Sequence, residues 1–433
     1  MSHPLVLANP HLPPEQMFSL QVGTKLFQVS GYSLNSDSPN LFTEFFMENK
    51  NATLFIDRSP QVFKLIMDHL QGYSVNIQDE SQFTFCFLDA VYFKLPRLQD
   101  LLKNCEYYYV CVGGQHFKLA KALLSQKGNS LNYFDMTCRS LFDDVQAVYF
   151  TMNLARPPPQ SPPYVNRSPA FLADLITLLQ GGMLDLTPER RQSLIQECRY
   201  YRFLRLEQQL VAAQIRWNPL LQTEEIIINL KDVRCKSVSV PTDDQLPSEE
   251  PPASKKRRLV SAFSWNAVQY RRPYLDSELP QARELIFQIA SSEVTLFFIK
   301  NAKTIHVAIS GQTLTRFRSV FQKVLAENNI DLNAYERQNS LLVLPACLSL
   351  CSMHVNSVPC RNVSAVVDEM QFNEQVLDFN NPNHINQLVP GLKLDLTKSL
   401  WKLGVVDKKL LMIAIKAEAV SGLKEYYRAL DYV

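Results

Sequence analysis

Four residues in one short stretch have the types that bind zinc. Cys347, Cys351, His354 and Cys360 follow one another at spacings C-x3-C, x2-H and x5-C. Zinc takes thiolate and imidazole ligands at short spacings, ordinarily C-x(2–4)-C followed by a second pair. The second pair is not spaced that way here. Leu348, Leu350 and Val355 interleave with the candidates, which fits a buried strand whose thiols pack as small apolar groups. The strand reading is the better supported, so no metal ligand is assigned and no cofactor is expected.

The other candidates fare as follows. Lys255, Lys256, Arg257 and Arg258 form a cationic cluster directly after a proline- and acid-rich stretch. Such a cluster in exposed chain is what import receptors read as a nuclear-import signal; the bland alternative is a solvated charge run. Ser248, beside Glu249 and Glu250, is a candidate acid-directed phosphosite next to it. Arg271 and Arg272 beside Tyr270 and Tyr274 could stack on nucleic acid, but a strand with a basic edge explains them as well. A net charge of +2 supplies no broad basic field, so nucleic acid is not expected as a partner. Asp57, His69 and Asp135 match no triad, and there is no G-x-S-x-G or H-E-x-x-H. With only 12 glycines, the chain also lacks the glycine-rich loops that cradle phosphates. These absences point away from an enzyme and from a small-molecule substrate.

The elements that would carry any function are duplicated. Leu54 to Gly72 reads LFIDRSPQVFKLIMDHLQG, and Tyr164 to Gly182 reads YVNRSPAFLADLITLLQGG. Ser59 and Ser168 stand at helix N-cap positions, where a hydroxyl can accept from the first free amides. Pro60 and Pro169 stand at the first helical position, where a missing N–H costs nothing. Val62, Phe63, Ile66, Met67 and Leu70 form an apolar stripe at helical spacing, as do Phe171, Leu172, Leu175, Ile176 and Leu179. Gly72 and Gly181 suit the left-handed residue that ends a helix. Upstream, QVGTKLFQV (21–29) matches CVGGQHFKL (111–119); downstream, LDAVYFKLPRL (88–98) matches QECRYYRFLRL (196–206). A unit recurring at this long period is a duplicated domain, since solenoid repeats run roughly 20–50 residues. Arg58 with Asp89, and Arg167 with Glu197, occupy matched positions. An ion pair within each unit is expected, the alternative being that each arginine faces a neighbouring subunit.

Both units resemble the BTB/POZ fold in its potassium-channel-tetramerisation subtype. The first carries Gln21-Val22-Gly23, Phe27, the run Phe55-Ile56-Asp57-Arg58-Ser59-Pro60, and Asp89-Ala90-Val91-Tyr92-Phe93-Lys94-Leu95. The second carries Val112-Gly113-Gly114, Phe117, Arg167-Ser168-Pro169 and Glu197-Cys198-Arg199-Tyr200-Tyr201. It departs from the pattern at Asn166, which replaces Asp, and in a proline-rich insertion before it. The resemblance covers roughly half the chain. It implies a non-catalytic protein whose units self-associate into homo-oligomers and bind protein partners, a cullin ubiquitin-ligase scaffold or a transcription factor among them.

The layout expected is an α+β protein: a loose segment 1–16, BTB-like units at 17–104 and 107–222, and a β-rich α+β domain at 223–433 interrupted by a disordered linker over 236–259. Within the second unit, 155–163 holds five prolines in nine residues and favours an extended, solvated path. Residues 194–217 suggest one long or two short helices. The linker is too rich in Pro, Ser and acid to bury surface against its ordering entropy. Beyond it, strands near 284–290, 294–299 and 303–309 suggest an antiparallel meander, followed by an amphipathic helix over 312–328 and strands at 341–344 and 408–417. The nine cysteines are scattered without a C-x-x-C pair. They read as thiols of a reducing compartment, nucleus or cytoplasm. The N-terminus lacks the form of a secretory signal, and no apolar run reaches the length of a membrane span.

Overall fold

A computed structural model describes residues 12–152, 154–241, 266–277, 282–299, 304–337, 340–360, 391–406 and 408–420. Contacts divide the chain into two compact units, the first ending at Leu210 and the second beginning at Val211. The sequence reading placed this boundary twelve residues later, at 222/223. The break falls earlier because Ala213–Asn218, read there as helix, is a strand paired antiparallel with Thr223–Asn229. A hairpin cannot be divided between units without stranding one side of its hydrogen-bond ladder.

The first unit builds one arrangement twice. Strands β1 (Met17–Val22) and β2 (Lys25–Ser30) form an antiparallel hairpin. Helices α1 (Gly31–Asn35) and α2 (Leu41–Glu48) lead to β3 (Thr53–Ile56), which returns parallel to β1. Helices α3 (Pro60–Leu70), α4 (Glu80–Tyr92) and α5 (Pro96–Lys103) follow. Then β4 (Tyr107–Val112) and β5 (Gln115–Ala120) form a second hairpin. After α6 (Lys121–Leu124) and α7 (Tyr133–Thr151), β6 (Tyr164–Val165) returns parallel to β4. Helices α8 (Pro169–Leu179), α9 (Pro188–Tyr201) and α10 (Leu204–Leu210) complete the unit. The sheet orders are β2-β1-β3 and β5-β4-β6, the same pattern in both.

Local chemistry repeats as well. Gly23 (φ +53°) and Gly113 (φ +54°) turn the two hairpins. Their N–H groups donate to Ile56 O and Val165 O, each at 2.9 Å. A Cβ on Gly113 would stand 2.5 Å from Arg167 O and 2.8 Å from Pro169 Cδ, so the turn lies against the Arg-Ser-Pro segment too closely for any side chain. Helices α3 and α8 end alike. Gly72 N–H donates to His69 O and Tyr73 N–H to Asp68 O; Gly181 N–H donates to Leu178 O and Gly182 N–H to Thr177 O. These paired bonds satisfy carbonyls that the helix ends would leave free. Ser59 and Ser168 do occupy the N-cap positions, but neither hydroxyl caps its helix, and Ser59 Oγ instead bonds Gln61 Oε1 at 2.9 Å.

The described part of the N-terminal segment is anchored rather than loose. Leu12 is buried, its N–H donates to Asn35 Oδ1, and Asn35 Nδ2 donates to Leu12 O.

In the second unit, β7 (Ala213–Asn218) and β8 (Thr223–Asn229) open the fold. Short strands β9 (Val238–Ser239), β10 (Asn266–Ala267) and β11 (Gln269–Tyr270) precede β12 (Arg283–Ile289), β13 (Val294–Ile299) and β14 (Thr304–Ile309). Helix α11 (Gly311–Glu327) leads to β15 (Glu336–Arg337), β16 (Leu341–Cys347), β17 (Ser352–Val355) and β18 (Val358–Cys360). The long pair β19 (Gly391–Val406) and β20 (Lys409–Val420) closes it. β12 and β13 do not pair as a meander: each pairs antiparallel with β19, which lies between them. A strand from the far end of the sequence takes the place that local order suggested for a neighbour. The pairings β19–β13–β14–β16–β20–β19 close into a ring, which leaves those five strands without free edges at the paired positions.

Helix α11 buries Phe317 and Phe321 against Phe287 of β12, with ring centroids at 6.1 and 5.3 Å. Of the expected linker, residues 236–241 are ordered chain: Val238–Ser239 pairs with Gln269–Tyr270. Residues 242–265, which include Ser248 and Lys255 to Arg258, lie outside the described residues.

Candidate protein-interaction region

Each half of the first unit holds an arginine in the same setting. In the first half, Arg58 Nη1 lies 3.4 Å from Asp89 Oδ1, and the guanidinium carbon lies 4.4 Å from the centroid of the Tyr92 ring. In the second half, Arg167 Nη1 lies 3.2 Å from Glu197 Oε1, and its guanidinium carbon lies 4.1 Å from the centroid of Tyr200. The arginine precedes the Pro-capped helix, and the carboxylate and ring come from the helix after next. Three residues apart, carboxylate and ring share one helix face. Both arginines therefore serve an intradomain pairing and tie α3 to α4 and α8 to α9. Asp89 is almost fully buried, and that burial raises its carboxyl to about 6 although Arg58 pulls the other way. Desolvation thus outweighs an ion pair of this length.

The remaining signature residues stand in differing surroundings. Phe27 is buried edge-on to Phe63, with centroids at 5.1 Å, while Phe117 at the matching place is half-buried. Gly114 turns at φ +85° with open space around it. Asp57 is 89% exposed and reaches Arg156 of the proline-rich insertion at 3.2 Å.

The two halves share one hydrophobic core. Phe83 of α4 stacks on Tyr109 of β4 at 5.3 Å, and Phe87 of α4 packs on Phe142 of α7 at 4.7 Å. Leu141, Phe142 and Val145 belong to the same buried cluster as the first half's sheet and helices. At the rim, Glu80 Oε2 lies 2.8 Å from His116 Nδ1. No sequence motif marked this seam, but α4 carried a signal. From Phe83 to Val91 it buries every residue except Phe85, so apolar groups wrap most of its circumference. A helix that is apolar nearly all round is covered on more than one side. Its counterpart α9 begins with the exposed run Pro188 to Arg191.

The outer face of the first sheet is open. Leu26, Gln21 and Phe55 are register partners across β2, β1 and β3, and Phe55 is 77% exposed. The matching row of the second sheet is His116, Cys111 and Tyr164. There Cys111 is buried and Tyr164 exposed.

Of the zinc-type set read from sequence, Cys347, Cys351 and His354 do not form a metal-binding cluster among the described residues, and the Cys360 side chain lies outside them. Cys347 ends β16 with its Sγ 3.0 Å from Ser349 Oγ, and His354 lies on β17, paired with Pro359 and Glu418. Arg271 and Arg272 flank a network in which Arg272 and Arg283 both bind Asp276, so Arg272 is engaged within the domain. A second buried charge cluster centres on Lys402, whose Nζ lies 2.6 Å from both Glu225 and Glu284.

Two proteins of Saccharomyces cerevisiae are similar to this chain over nearly its whole length. The BTB/POZ domain-containing protein YLR108C is 38% identical, across 98% of this chain and 96% of its own. The chain belongs to this BTB/POZ domain-containing family. The uncharacterized protein YDR132C is 39% identical over the same shares. A family model described as the YLR108C C-terminal domain matches residues 223–430. Family membership makes the second unit a domain with relatives of its own, and it gives a BTB/POZ protein a protein-interaction domain. No described helix is long and apolar enough to cross a membrane.

Proposed function

We propose that this BTB/POZ family member is a non-enzymatic adaptor for protein–protein assembly. In this reading both halves of its first unit are BTB modules of the potassium-channel-tetramerisation subtype. They pair inside one chain and leave the C-terminal domain to hold a client. The observation that carries the proposal is the repeated site: one sheet order and one arginine, carboxylate and tyrosine arrangement, built twice and joined by a common core. The pairing faces are used within the chain, so association between chains is not needed to complete them. The cationic run Lys255 to Arg258 supports a nuclear site of action, with the cytoplasm as the other compartment.

Light scattering on the full chain tests the internal pairing. One-chain mass across micromolar concentrations is expected. A discrete homo-oligomer dispersed by Phe55→Asp would overturn it and assign the exposed sheet face to self-association. The alternative is a cullin-type ubiquitin-ligase adaptor with the C-terminal domain as substrate receptor. Recovery of a cullin with the full chain, lost when the first unit's surface is altered, would establish that role instead.

A further inference from the structure

At the seam between the two halves, three metal-ligating side chains converge. Cys111 of β4 and His116 of β5 are direct register partners, so their side chains leave the same face of the sheet. Glu80, the first residue of α4, comes over them from the other half. A carboxylate oxygen of Glu80, Cys111 Sγ and a ring nitrogen of His116 all lie within 4.8 Å of one another. Glu80 and Cys111 are buried and His116 is exposed.

We propose that Glu80, Cys111 and His116 form a zinc-class site that clasps the two halves of the first unit, with a fourth position open to solvent. The donor set selects the cation. One thiolate, one imidazole and one carboxylate suit zinc or cobalt, whereas calcium and magnesium require oxygen ligands throughout. Ligands at zinc bond lengths stand roughly 3.5 Å apart. Glu80 Oε2 and His116 Nδ1, now 2.8 Å apart, would therefore have to part slightly to admit the ion, a change that the exposed His116 side chain can supply by turning.

The surroundings fit the same reading. Asp79 Oδ1 accepts from Gln82 N–H and so fixes the first turn of α4, which carries Glu80. Cys111 is held by its ladder and by its N–H bond to Pro163 O. A buried carboxylate requires an opposing charge. The neighbour that the fold places beside it is His116, with Nδ1 2.8 Å from Glu80 Oε2. A divalent cation bound by the three side chains would supply that charge. The duplicate provides a built-in comparison. At the matching positions the first half has Gln21 and Leu26, an amide and a hydrocarbon, and that face is open. The ligating pair occurs only where the other half supplies a carboxylate.

Elemental analysis tests this on the full chain, equilibrated with zinc and then desalted. About one zinc per chain is expected. His116→Ala should lose it; this side chain is exposed, so folding is undisturbed, as circular dichroism will check. Cys111→Ser should lose it too, and Cys351→Ser should keep it. With cobalt in place of zinc, a thiolate-to-metal charge-transfer band is expected, absent from Cys111→Ser. Wild-type protein carrying no more zinc than His116→Ala, a cobalt complex without the thiolate band, or loss of metal in Cys351→Ser would each overturn the assignment.

Discussion

Asp89→Asn tests whether desolvation outweighs the ion pair at the first arginine site. The Asp89 carboxyl is raised from 3.8 to about 6, burial being the larger cause and Arg58 the opposing one. Its side chain is only 6% exposed, so solvent screens it little. The folded state therefore holds a proton between pH 4 and 6 that the unfolded chain releases. The sign follows: this group costs stability above pH 6, and that cost fades as pH falls toward 4. Two pKa units correspond to about 3 kcal/mol. Asparagine cannot ionise, so the stability difference between variant and wild type should shift by about that amount, in the variant's favour, from pH 4 to 7.5. Other carboxylates titrate in the same window but cancel in the difference. Urea unfolding can be followed with two probes, one for each unit. Ten of the eleven described helices lie in the first unit, so far-ultraviolet circular dichroism reports on it. The tryptophans are Trp217, Trp265 and Trp401, all beyond Leu210, so their fluorescence reports on the second unit and should not move. A difference that is constant across pH would refute the raised carboxyl. A variant that loses ground as pH rises would show the ion pair to be the stronger effect.

Three further outcomes are expected. Phe142→Ala removes a ring packed on Phe87 and should cost about 3–5 kcal/mol. Because the core is common, the helical signal of both halves should fall in one transition, and two separated transitions would argue against a shared core. Lys402→Met leaves Glu225 and Glu284 facing each other without a cation, at a cost of about 3–5 kcal/mol read by tryptophan fluorescence. Contacts with Lys402 hold Glu225 below its ordinary value, against desolvation. That part of the stability is present above the ordinary carboxylate range and is lost as the wild type is acidified, so the cost of Lys402→Met should shrink toward low pH. Finally, alanine at Lys255, Lys256, Arg257 and Arg258 should abolish nuclear accumulation of a fluorescent fusion; an unchanged distribution would remove the signal reading.

The amino-acid order alone determined the features whose causes are local. Proline at the first helical position, glycine just past the helix end and a stripe at helical spacing locate α3 and α8 because neighbouring residues decide them. The duplication was legible for the same reason, since matched local signals recur in matched order. The pairing of Arg58 with Asp89 and of Arg167 with Glu197 was also readable, but through the repeat rather than through either copy by itself. Tertiary structure decided everything that depends on distant chain. β19 separates β12 from β13 although it follows them by roughly a hundred residues, and no local preference records such a pairing. Residues 213–218 continue a helical-looking run yet form a strand, because β8 offers them a ladder. The meeting of Glu80 with Cys111 and His116 is the plainest instance. Each is ordinary in its own segment, and only the closure of one half against the other, driven by burial of Phe83, Phe87 and Phe142, brings their polar atoms together.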